Sequence, residues 1–127
     1  MFIKDDALRK MNESQRIEVW DFMQLFFPDN TNKIQFECAH SFMRLLLKEK
    51  SIQSDNIKQH FTINNYHSLA NIVLPKLERF GLVNIIGQRG KGKIYRIELS
   101  KKFSDRIHHL SIEWFRIYTK YGDTYGG

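Results

Sequence analysis

The chain has one cysteine, Cys38, and two prolines among its 127 residues. A single thiol cannot build a disulfide framework, and no Cys/His spacing matches a structural zinc site. Without such staples, stability has to come from a packed core. No apolar run approaches the roughly 20 residues that span a bilayer as a helix. The opening Met1-Phe2-Ile3-Lys4-Asp5-Asp6 lacks the basic and then apolar layout of a signal peptide, so the expected location is cytoplasmic. Glycine is sparse as well. The one cluster, within 87–92, joins two strand-like runs and has no helix N-terminus behind it, unlike a phosphate-binding loop. Internal repeats and low-complexity tracts are missing.

What is present is a 42% hydrophobic fraction that includes ten phenylalanines, a composition that excludes intrinsic disorder. The length suits a single domain over 1–127. The net charge of +6 favours a polyanionic partner. That charge is uneven: residues 1–35 carry five basic against six acidic side chains, and the other 15 basic and 8 acidic residues leave +7 on the rest.

Asn12 and Gln15 have capping-box spacing behind Met11, and Val19, Phe22, Met23 and Phe26 recur at helical intervals, which predicts a helix over 12–27. Pro28-Asp29-Asn30-Thr31-Asn32 ends it. A second helix is expected over 35–50, then a brief extended segment at 51–53 and a short helix carrying Ile57 and Phe61. Thr62-Ile63-Asn64-Asn65 reads as a tight turn. A longer helix over 66–80 follows, buried through Leu69, Ala70, Val73, Leu74, Leu77 and Phe80, with a local bend at Pro75 and Gly81 as its C′ residue. From residue 82 the period becomes that of strands. Runs over 82–86 and 93–99 flank a glycine-rich tip whose surroundings carry Arg89, Lys91, Lys93 and Arg96. In the last helix, expected over 101–121, Phe103, Ile107, Leu110, Trp114, Ile117 and Tyr121 are spaced as a heptad seam.

The fold class is therefore mainly α with a small β-hairpin. The order helix, short helix, tight turn, helix and basic hairpin over about 36–99 resembles a winged helix-turn-helix domain. The stretch Leu74-Pro75-Lys76-Leu77-Glu78-Arg79-Phe80-Gly81-Leu82-Val83 is similar to the end of a recognition helix and the entry to its wing. With added terminal helices, the arrangement resembles PadR-type and MarR-type regulators. This resemblance implies a non-enzymatic transcriptional regulator that binds double-stranded DNA and is nucleoid-associated in the cytoplasm. It also implies a homodimer formed through the terminal helices.

The resemblance implies roles residue by residue. His67, Ser68 and Asn71 would reach base edges in the major groove, with Tyr66 at the margin. Lys76 and Arg79, with Arg89, Lys91 and Lys93 on the wing, would meet phosphate. Roughly five such contacts imply a salt slope of about −4 to −5 per protomer. The heptad residues Phe103, Ile107, Leu110, Trp114, Ile117 and Tyr121 would form the dimer interface, unless the aromatic terminal helices pack on each other within one chain. The family's frequent early Arg or Lys is missing, and the face offers Asn71 and Ile72 instead. This departure keeps open a protein-interaction, replication, segregation or DNA-architectural module.

Plainer readings exist for each feature. The basic hairpin tip can be a solvated turn, the 67–71 face an unengaged polar surface, and Tyr66 a half-buried core residue. His108 and His109 are adjacent and point about 100° apart on a helix, so they cannot share a ligand face. With no completing carboxylate or thiol, no metal or other cofactor is expected. Cys38 reads as a buried, inert thiol. Acid–base residues are scattered over separate elements, so no enzyme is expected.

Overall fold

The computed structural model describes residues 3–88 and 93–122, apart from the side chains of residues 63 and 64. The first helix, α1 (Asp5–Asn12), has Asp5 and Asp6 in its first turn and Arg9 and Lys10 in its last, which complements the helix dipole. The expected helix over 12–27 is therefore corrected: Asn12 ends a helix. Residues 13–18 are polar apart from Ile17 and give a helix no face to bury, and Ser14 takes a left-handed φ of 55°. The chain restarts as α2 (Val19–Phe26), where the Asp21 carboxylate accepts the Glu18 N–H at 2.9 Å. Lys10 reaches the same carboxylate at 2.9 Å and ties α1 to α2.

The longest helix, α3 (Lys33–Glu49), starts at Asn32, whose side chain accepts the Gln35 N–H at 3.1 Å. It buries Phe36, Cys38, Ala39, Phe42, Met43 and Leu46 along one stripe. Strand β1 (Ser51–Gln53) leads directly into the single turn α4 (Ser54–Ile57). The buried Ser54 hydroxyl accepts the Tyr95 N–H at 3.0 Å and fixes α4 to the sheet. The turn expected at 62–65 lies earlier, because Thr62 is a helix cap that accepts the Asn65 N–H.

Helix then runs over 63–80 in three stretches: α5 (Ile63–Ser68), a π-helical turn over Leu69–Val73, and α6 (Leu74–Phe80). Pro75 lacks the donor that would bond residue 71 and its ring crowds that carbonyl. The helix accommodates this by widening: the Leu74 N–H bonds the Leu69 carbonyl, five residues back. It closes on Gly81 at φ 86°, with Gly81 N–H bonded to Glu78 and Leu82 N–H to Leu77. That pair is a Schellman closure.

Strands β2 (Val83–Gly87) and β3 (Tyr95–Leu99) form an antiparallel hairpin, and β1 adds to the free edge of β3 in the order β1-β3-β2. Ile52, Ile97 and Ile85 align across it. The chain is thus mainly helical with a small three-stranded antiparallel sheet. Its core lies between α3, helix 63–80 and the sheet, and Met23, Phe26 and Phe27 around α2 close it. The last helix, α7 (Lys102–Ile117), continues into a π turn over Tyr118–Gly122 and has no buried residue. Among the described residues, no helix is long and apolar enough to cross a membrane.

Candidate nucleic-acid interface

Helix 63–80 is two-faced because its buried residues recur on one side. Leu69, Val73, Leu74 and Leu77 are fully buried, while His67, Asn71, Ile72 and Arg79 are exposed and Ser68 is half-buried. The packing of the inner face fixes where the outer polar groups stand. Tyr66 is half-buried against the core. The Lys58 ammonium lies 5.3 Å from its ring centroid, within cation–π range. Lys58 follows α4 with no periodic signal around it, so nothing in the sequence singled it out.

Lys76 departs from its expected role. Its ammonium donates to the Phe26 carbonyl at the end of α2 and sits 4.9 Å from the Phe27 ring centroid. It holds α2 to the long helix. Arg79 is exposed, and its backbone carbonyl accepts from the Arg106 guanidinium. Lys102 and Arg106 approach Gly81 closely. Arg79, Lys102 and Arg106 thus form a basic corner where the long helix meets α7. Two of these three lie outside the stretch that resembles a known domain, which is why sequence reading passed over them.

On the hairpin, Lys93 is exposed and Arg96 pairs with Glu98 at 2.8 Å. Arg89 and Lys91 lie outside the described residues. Of the six heptad residues, Phe103 packs its ring edge-on against Phe22 and Phe26, at centroid distances of 6.4 and 5.4 Å in the same chain. Ile107 is half-buried, and Leu110, Trp114, Ile117 and Tyr121 are exposed.

A cleft of about 450 Å³ runs between α3 and residues 60–65, lined by Glu37, Cys38, Ser41, His60 and Asn65 among others. Burial pushes the Cys38 thiol up to about 11, and it donates to the Asn65 carbonyl at 3.4 Å. It is therefore protonated at neutral pH and a poor nucleophile. His40 stacks on Phe36 and meets Trp20 edge-on. Burial, aided by the nearby Arg44 charge, holds its pKa below the ordinary imidazole value. Among the described residues, no three His, Cys, Asp or Glu side chains are grouped to hold a metal ion.

What the arrangement offers chemically is donors and positive charge on an outward helix, a hairpin and a basic corner. No family model, curated protein or solved structure matches this chain.

Proposed function

We propose that the chain is a non-enzymatic winged helix-turn-helix protein that binds double-stranded DNA, with transcriptional regulation as its role in the cytoplasm. Helix 63–80 lies in the major groove and the basic hairpin follows the backbone. The observation that carries this reading is the long helix itself. Its inner face is core, and its outer face exposes His67 and Asn71 in front of a short helix and turn. An Asn so presented can pair with the N6 and N7 edge of adenine. The β1-β3-β2 sheet, with a basic hairpin as its outer loop, gives further support. With Lys76 engaged inside the chain, the phosphate contacts are Arg79, Arg89, Lys91 and Lys93.

The test is fluorescence anisotropy of a random-sequence duplex across a salt series. Four contacts predict a slope of about −3 to −4 per protomer. Arg89→Ala with Lys91→Ala lowers affinity at every sequence and makes the slope shallower by about 2. Asn71→Ala instead changes which sequences are preferred. Absence of binding at low salt overturns the reading.

A second reading, a protein-docking module on the same face, is favoured by one observation. Ile72 is 43% exposed beside Asn71, where an apolar contact suits a protein surface. It predicts weak, salt-labile duplex binding without site preference.

A further inference from the structure

The π turn over Leu69–Val73 changes what helix 63–80 presents outward. Closing the Leu74 N–H on the Leu69 carbonyl gives this turn one residue more than an α turn holds. Its two buried members, Leu69 and Val73, keep the inner side. Between them Asn71 and Ile72 are both open, so two neighbouring residues share the outer side of one turn. Their chemistry differs. The Asn71 side chain both donates and accepts hydrogen bonds, and that of Ile72 does neither. The other open side chains of this helix among the described residues, His67 and Arg79, are polar. Ile72 is therefore the one large apolar side chain that the described face leaves exposed. Helix formation does not explain it there, because a β-branched residue is a poorer helix former than alanine or lysine.

Resting on the duplex-binding reading above, we propose that Ile72 reads the 5-methyl group of a thymine, at or beside the base pair whose adenine Asn71 bonds. Among the groups that line the major groove, the thymine methyl is the apolar one. The remaining edges are donors and acceptors, which an isoleucine would strip of water without replacing their hydrogen bonds. The spacing fits. A helix rises about 1.5 Å per residue and a duplex about 3.4 Å per base pair, so consecutive residues meet the same pair or the adjoining one. Asn71 then selects adenine by its hydrogen bonds, and Ile72 selects thymine by its methyl. Neither contact carries charge, so this preference adds nothing to the salt slope.

Thymine and uracil differ at that edge by the methyl alone, which gives the test. Anisotropy is measured on a short alternating adenine–thymine duplex and on the same duplex with deoxyuridine in place of every thymidine, at one low salt concentration. The wild-type chain should hold the thymine duplex about three- to tenfold more tightly, the worth of one buried methyl. Ile72→Ala, at an open position where alanine suits a helix, should fold normally and bind the two duplexes alike. Ile72→Val keeps a branched apolar end and should retain the larger part of the preference. Asn71→Ala should weaken both duplexes by the same factor and leave their ratio unchanged. Equal affinity of the wild-type chain for both duplexes, or a ratio that survives Ile72→Ala, overturns the proposal while the duplex-binding reading stands. Failure to bind either duplex overturns that reading and the proposal with it, and leaves Ile72 to the protein-docking surface.

Discussion

At the residue scale, Gly81 shows how much one missing side chain can fix. Its φ of 86° lies in the left-handed region that favours glycine. A Cβ placed there would come within 2.9 Å of both the Lys102 Cβ and the Phe103 nitrogen. Backbone cannot yield as a flexible side chain can, so Gly81→Ala is expected to cost roughly 1–3 kcal/mol, read as a lower denaturant midpoint at constant m-value. The glycine was legible in the sequence because it stands where the apolar helical period stops. The role of Lys76 was not legible: its carbonyl acceptor on Phe26 lies fifty residues earlier, and no local pattern encodes a partner at that distance. Tyr66 was legible only as an ambiguity, which packing resolves in favour of a half-buried ring beneath Lys58.

At the scale of elements, the N-terminal region shows where periodic reading fails. The signature of α1 was the charge order Asp5-Asp6 then Arg9-Lys10, a helix-dipole pattern with Ala7 its one buried residue. A search for an apolar stripe does not see it. The true start of α2 is written in Glu18 and Asp21, and Asp21 carries the joint between the two helices. Burial pushes the Asp21 carboxyl up. The Lys10 ammonium and the Glu18 N–H more than offset this and hold it below the ordinary carboxylate value. A folded-state pKa below the unfolded one means that the unfolded chain binds the proton first. The contribution of Asp21 is therefore complete above about pH 4 and fades as pH falls through its lowered folded value. Asp21→Asn keeps the cap acceptor and removes the charge. The variant should be less stable than wild type at neutral pH, with the gap narrowing below about pH 4, as followed by denaturant melts at a series of pH values. The long helix was legible in its phase, including continuity across Pro75. That its repair would be a π turn at Leu69–Val73 depends on the core holding both sides of the helix at once.

At the scale of the molecule, the class of fold was legible in the switch from helical to strand period after Gly81. Where the terminal helices go was beyond its reach. Both are rich in aromatics, yet α2 lies in the core and α7 stands open. The joint between the long helix and α7 is tied at three points. The Arg106 guanidinium grips the Arg79 carbonyl, Phe103 N–H bonds the Gly81 carbonyl at 3.0 Å, and Gly81 leaves no slack beside α7. Arg106→Ala should therefore release the base of α7 first, read as faster amide exchange over its opening turn ahead of global unfolding.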